Sequence, residues 1–424
     1  MSAEGVDMIK TSAKRLHFAW IILLGMCVVM GLTRGGLNNA GGLFMAPVTT
    51  DLGFGTGEFS LYFSISSVAT FLFLPVAGRL MARYDPRLLL ITSLIFQAGS
   101  FALFGCMDNI WGWYLLSVPM AAGSVITTQI AGPVLVGRWF KEHNGLAVGI
   151  IMAAVGLFGM ILQPMAGNLI AHQGWRQAYI LLGLIVMALG IPVVLLTIRK
   201  EPIQMGLRPL GEETAIKQEK AIPEGVTEKD ARKSASFWAL ALFMFFITAV
   251  AAFGQHIPQY ANQLGYDTAF AGGAMGFFML GMLIGSLFFG VLSDKIGTKA
   301  TTIFALISGI AAVIIAILGG SLPYMFDFAV TLFGFMSASV GTLGPLLTTD
   351  VFGSKEYGEI YSIVAMGMAF GGIVALPGYG FVYDAVGSYY PVLWGIIGLL
   401  IACIICVMIA FAGKEALKQK GLWG

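Results

Sequence analysis

The 424-residue sequence predicts an all-α membrane protein, with twelve transmembrane helices in two six-helix bundles related by a pseudo-twofold axis. Three observations carry that expectation: repeated apolar runs of about 20 residues, one-sided placement of lysine and arginine, and an internal repeat at half the chain length. Apolar residues make up 58% of the chain and charged residues only 11%, against about 25% charged in a soluble domain. The mean hydropathy of +0.85 agrees. The polar/apolar alternation that a closed barrel needs is missing, so the spans are helices.

Glycine and proline punctuation places the spans at 17–47, 58–82, 88–107, 110–137, 144–171, 175–198, 236–262, 268–293, 300–319, 323–349, 357–383 and 389–412. With a cytoplasmic amino terminus, 22 of the 24 Lys and Arg fall in the termini and the loops on that side; only Arg176 lies opposite and only Arg34 inside. This puts both termini in the cytoplasm. Met1 to Arg15 is polar, and the run behind it is too long for a cleaved leader, so no signal peptide is expected. The domain expectation is a bundle over 1–198, a linker over 199–235 and a second bundle over 236–424. The linker has mixed charge: Glu212-Glu213, Lys217, Glu219-Lys220, Pro223-Glu224 and Arg232-Lys233.

The first span holds Arg34, about 24 Å in at 1.5 Å per residue, within a hydrocarbon core of about 30 Å. A guanidinium stays charged, so it must face a water-filled cavity, carbonyls or an anion. The acids offer it no partner: Glu58 and Asp327 lie near the outer face, Asp294, Asp350 and Glu359 at the inner face, and none at mid-depth. Arg34 is therefore a candidate carboxylate anchor. The alternatives are outward snorkelling, or hydrogen bonds to carbonyls freed around Gly35-Gly36. Asn38 lies one turn on along the same face. His256, within the seventh span, is either a proton-coupling residue or an interfacial histidine held by Pro258. Gln255 and Gln259 flank it and serve packing or substrate equally well. Cys403-x-x-Cys406 lies in an apolar helix and reads as packing.

The halves repeat. Gly78 to Arg87 after the second span matches Gly290 to Lys299 after the eighth, 212 residues later, and Leu52-Gly53 matches Leu264-Gly265 at the same offset. An offset of 213 pairs Gly167 with Gly380 and Gly174 with Gly387. Glycines four apart (Gly31/Gly35, Gly145/Gly149, Gly281/Gly285, Gly367/Gly371) suit close helix contacts.

The form Gly-x-x-x-Asp-(Arg/Lys)-x-Gly-x-(Arg/Lys) in those loops resembles the signature of the major facilitator superfamily. Gly290, Asp294, Lys295, Gly297 and Lys299 match it fully; the first copy keeps Gly78, Arg83 and Arg87 but has Ala82 and Asp85 at the acid and second glycine. The resemblance implies that these loops tie the bundles together on the cytoplasmic side during alternation. Phe18-Ala19-Trp20, Arg138-Trp139-Phe140 with Asn144-Gly145, Gly174-Trp175-Arg176 and His256 to Gly265 are similar to the monocarboxylate and oxalate/formate transporter branch. Asn38 stands where animal members of that branch carry a lysine. The charges those members place in span 8, and the basic residues of oxalate exchange in spans 8 and 11, are missing.

The resemblance also implies that Tyr62, Thr127, Thr128, Gln129, Gln163 and Tyr361 lie on cavity-lining helices. The expected function is secondary transport of a small organic anion, a monocarboxylate, across the plasma membrane by alternating access, coupled to protons or to substrate exchange. The chain is expected to act as a monomer without metal, cofactor or nucleic-acid partner; no enzyme constellation is present. A drug or metabolite exporter is the alternative, since Gly159-x-x-x-Gln163-Pro164-x-x-Gly167 resembles an exporter motif and departs at Gln163 and Asn168. A transporter-like sensor is a third reading, set against a tail too short to be a domain.

Overall fold

The computed structural model describes residues 17–140, 144–210, 224–419 and 422–423. Lys10, Lys14, Arg15, most of the mixed-charge linker and Lys420 lie outside them, as do the side chains of Asn144 and Gly145. Among the described residues, twelve helices are long and apolar enough to cross a membrane: α1 (Phe18–Leu52), α2 (Thr56–Arg83), α3 (Pro86–Phe104), α4 (Ile110–Trp139), α5 (Leu146–Gln173), α6 (Trp175–Thr197), α7 (Ala235–Gln263), α8 (Thr268–Ile296), α9 (Thr298–Gly319), α10 (Pro323–Phe352), α11 (Tyr357–Val386) and α12 (Tyr390–Gln419).

Short polar residues start these helices. Asp85 accepts from the Arg87 N–H, Asn109 from Gly112, Ser234 from Phe237 and Asp267 from Phe270, each occupying a donor the first turn leaves free. Left-handed glycines separate them. Gly53 and Gly265 have φ of 72° and 92°, and Gly174 and Gly387 have 81° and 71°. The paired glycines of the repeat are thus positions that a side chain would strain. The signature loops solve one turn in two ways: Gly297, at φ 84°, starts α9, whereas Asp85 with Pro86 caps α3.

The two halves pack alike. In the first, α1 lies against α5 and α6, α3 against α4 and α6, and α2 against α4; in the second the same pairs recur six helices later. The halves meet through α5 with α8 and α2 with α11. At the first crossing Gly167 faces Gly272, and at the second Gly57 faces Gly380. A Cβ on Gly167, Gly272 or Gly380 would lie 2.7 Å from the facing glycine's Cα. Both crossings are on the side away from Phe18 and Gln419.

Toward the basic side the contacts continue through Gly276 on Pro164, Gly159 on Met279 and Gly156 on Leu283. Beyond these, a Cβ on Gly149 of α5, Gly290 of α8 or Gly78 of α2 would meet nothing within 4 Å. The bundles therefore touch on the far side and diverge toward the basic side. The linker is fixed at each end: Leu210 N–H donates to Trp139 O (2.9 Å) on the first bundle, and Val226 N–H to Phe352 O (2.9 Å) on the second. The last helix runs seven residues beyond its expected end, because Lys414 pairs with Asp350 (2.6 Å) and packs on Phe411 and Trp423.

Candidate functional site between the bundles

Four spans at equivalent places in the repeat lose α-helical geometry near mid-length. Gly31–Asn38 of α1 and Ile126–Ile130 of α4 are π-helical, Phe253–His256 of α7 is a 3₁₀ turn, and α10 breaks at Ala338. Such backbone survives at membrane depth only where protein buries it or where it lines a cavity, and π segments recur at functional sites. The two π segments lie side by side.

The α1 segment is possible because its glycines let α5 come close. A Cβ on Gly35 would lie 2.4 Å from Val155 O, and one on Gly31 2.5 Å from the Phe158 ring. The wider turn frees carbonyls, and Gln163 of α5 takes two of them: its Nε2 donates to Gly35 O (2.8 Å) and Gly36 O (3.2 Å). Gln163 is fully buried, and its Oε1 has no hydrogen-bond partner. The carbonyls that offered Arg34 an alternative fate are therefore occupied by another residue.

Arg34 itself is exposed. Its Nη1 donates to Met152 Sδ at 3.8 Å, a weak acceptor. Among the described residues no carboxylate pairs with it. The face it occupies follows from its neighbours. Asn39 Nδ2 donates across the seam to Met279 Sδ of α8 (3.5 Å), and Gly42 N–H donates to Gln255 Oε1 of α7 (2.9 Å). Met152 lies one turn below Gly156, which meets Leu283 of α8. Arg34 thus opens on the same seam, just where the bundles begin to part. It holds a permanent charge on a soft sulfur contact, in space that widens toward the basic side.

Asn38 turns into its own bundle. Its Nδ2 donates to Ser124 Oγ (3.0 Å), its Oδ1 accepts from Gln97 Nε2 (2.9 Å), and Gln97 Oε1 accepts from Thr127 Oγ1 (2.6 Å). Thr128 donates to the Ser124 carbonyl (2.8 Å), so this chain of polar groups braces the two π segments. Gln129 is exposed on the α4 segment. Tyr62 is 2% exposed, among Phe59, Phe63 and Phe104. Tyr361 is half-buried near the start of α11 and stacks on Tyr357 at 5.4 Å.

His256 is fully buried in the second bundle. Its Nε2 lies 2.9 Å from Leu376 O and its Nδ1 2.8 Å from Tyr389 Oη. A carbonyl only accepts, so Nε2 carries the hydrogen, and in the neutral ring Nδ1 accepts from Tyr389. The imidazole joins α7 to α11 and to the start of α12, whereas its neighbour Gln255 reaches α1. In the signature loops, Gly78 and Gly290 face open space, and Arg83, Asp294, Lys295 and Gly297 are exposed. Arg87 Nε donates to Ile198 O (2.7 Å) at the end of α6, and Lys299 Nζ lies 5.6 Å from the Phe411 ring centroid.

Asn39, Gln97 and the bridging role of Gln255 were not singled out from the sequence. Asn39 adjoins Asn38, and successive residues on a helix point about 100° apart, so the first faces the seam and the second faces inward. Among the described residues, no group of three or more His, Cys, Asp or Glu could hold a metal.

The family model described as Major Facilitator Superfamily matches residues 23–322 and 269–421. The oxalate:formate antiporter of Oxalobacter formigenes is 25% identical over 374 residues, covering 84% of this chain and 83% of its own. Monocarboxylate transporter 12 of Homo sapiens is 26% identical over 294 residues, covering 60% and 54%. A bacterial homologue of the human lysosomal transporter Spinster, solved in an inward-facing and occupied conformation, shares the fold with a TM-score of 0.69. It is 14% identical, over 94% of this chain and 96% of that one.

Proposed function

The chain belongs to the major facilitator superfamily, and on that premise we propose that it carries a small organic anion, a monocarboxylate, across the plasma membrane with both termini in the cytoplasm. Arg34 anchors the carboxylate. The observation that carries this reading is an exposed guanidinium at mid-span, on the seam between the bundles, with the Met152 thioether as its weak hydrogen-bond acceptor. A carboxylate offers it two charge-assisted hydrogen bonds where sulfur offers one weak one. Asn39, one turn further along, is the second polar contact, and Gln129, on the neighbouring π segment of the same bundle, a third.

The bundles touch on the far side and part toward the basic side, so this conformation is the inward-open one of an alternating cycle. Substrate binding closes the basic side, and the loops with Gly78, Arg83 and Arg87 and with Gly290, Asp294, Lys295, Gly297 and Lys299 come together. Exchange of one anion for another is one coupling that fits, because both nitrogens of His256 already hold protein groups. A proton carried on the substrate itself fits equally. The residues 199–235 act as the tether between the bundles, and the working unit is the monomer.

Uptake of a panel of labelled carboxylates into proteoliposomes tests the reading. Arg34→Gln abolishes uptake of the transported acids, and Arg34→Lys, which keeps charge but loses the planar fork, retains a small part. Uptake unaltered by Arg34→Gln removes Arg34 from the site.

A further inference from the structure

The far-side contact carries an asymmetry that the repeat brings out. α2 and α8 both begin at a threonine, Thr56 and Thr268, at the offset of the repeat. α8 has its own cap in Asp267, which accepts from Phe270 N–H at 2.7 Å. At the matching position α2 has Gly55, with no side chain to cap it. The acceptor comes from the other bundle: Asp384, near the end of α11, takes the Thr56 N–H on Oδ1 (2.9 Å) and the Gly57 N–H on Oδ2 (2.7 Å). Gly55 leaves the room for it, since a Cβ there would lie 3.0 Å from Asp384 Oδ2. The crossing of Gly57 with Gly380 is one turn away, and Gln259 Nε2 of α7 adds a bond to Thr56 Oγ1 (2.9 Å).

Asp384 also sits in a familiar spacing. Gly380-x-x-x-Asp384-x-x-Gly387 repeats the interval of Gly290-x-x-x-Asp294-x-x-Gly297, on the opposite side of the molecule. The matching place at the end of α5 is Ala171, between Gly167 and Gly174, so the acid is present at one crossing and absent at the other.

We infer that Asp384 is a gating residue: its carboxylate ties the amino terminus of α2 to the second bundle and holds the far side shut. An anion at a helix start is favoured both by the free N–H groups and by the helix dipole. When the bundles separate there, α2 loses the carboxylate that takes its first N–H groups and must turn to water. The closed far side is thereby the resting arrangement. This rests on the alternating reading above, but not on the identity of the substrate.

The test uses full-length protein in proteoliposomes with Cys27, Cys106, Cys403 and Cys406 replaced. Spin labels are placed by Trp111→Cys and Tyr324→Cys, exposed and near the far-side ends of α4 and α10. Electron–electron distances then report the far-side gap without substrate. Asp384→Ala should raise the far-side-open to closed ratio at least about tenfold, and Asp384→Asn, which keeps one acceptor oxygen, by less. Adding Gly55→Ser to Asp384→Ala supplies a cap within α2. It should restore thermal stability while leaving the longer distance in place. An unaltered distance distribution in Asp384→Ala and Asp384→Asn overturns the inference. So does its return to the parent distribution in the Gly55→Ser double variant, which would make Asp384 a helix cap and nothing more. Failure of carboxylate uptake with these distances as expected would count against the anion reading alone.

Discussion

Replacing Gln163 with leucine removes the donor that holds the π segment of α1 open. Gly35 O and Gly36 O lie in buried residues and are bonded by one side-chain amide, at 2.8 and 3.2 Å. Leaving a buried acceptor unmade costs about 1–3 kcal/mol, so losing both bonds costs roughly 2–6 kcal/mol. Against this, the change also deletes Gln163 Oε1, which has no partner in the native protein, and its relief returns about 1–3 kcal/mol. The net expectation is a loss of about 1–3 kcal/mol, read as a fall of a few degrees in the unfolding temperature of the detergent-solubilised protein. Uptake should fall further than stability. If the segment tightens to an ordinary α-helix, Arg34 turns by about one residue's rotation, roughly 100°, and leaves the seam. A Gln163→Leu protein that melts and transports like the parent would refute this account of what the glutamine does.

His256→Phe keeps the ring packed beside Phe253 and Tyr379 but strands Tyr389 Oη and Leu376 O, so the unfolding temperature should drop by a few degrees. If the imidazole only joins helices, the residual uptake keeps the parent's pH profile between about pH 5 and 8; a flattened profile would make it a proton carrier. Gly380→Ala puts a methyl 2.7 Å from the Gly57 Cα and N. Carbon contacts are comfortable near about 3.5–4.0 Å, so α2 and α11 should part by about 1 Å, measured as a longer far-side spin-label distance and a lower unfolding temperature. An unaltered distance would mean that the backbones are not in contact there.

The twelve spans were legible because hydrocarbon thickness sets helix length, and no competing structure buries so many apolar residues in runs. The pairing of the halves was legible for a similar reason: Gly53, Gly265, Gly174 and Gly387 stand at left-handed positions, where side chains are strained. Arg34 could be picked out by charge alone. Its environment could not, since the glycines around it announce close packing without saying which carbonyls a π turn frees. That Gln163 answers Gly35 and Gly36 depends on a helix crossing between residues 128 apart. His256 shows the same gap, with Tyr389 arriving from 133 residues away. The role of Asp384 was not legible because it lies at the far-side end of α11, and the N–H groups it accepts from belong to residues 327 and 328 positions away. Asn38 and Asn39 differ in direction as any neighbours on a helix do, but which of the two faces the seam depends on the register of the π segment, which composition does not encode.

The central claim is that Arg34 recognises a carboxylate. The direct measurement is the affinity of the transported acid and of its neutral amide for the parent protein and for Arg34→Gln, taken as a thermodynamic cycle. The claim predicts strong coupling: the parent prefers acid to amide by at least about tenfold, roughly 1.4 kcal/mol, and Arg34→Gln loses that preference. Equal discrimination by both proteins, so that the two changes simply add, would contradict it.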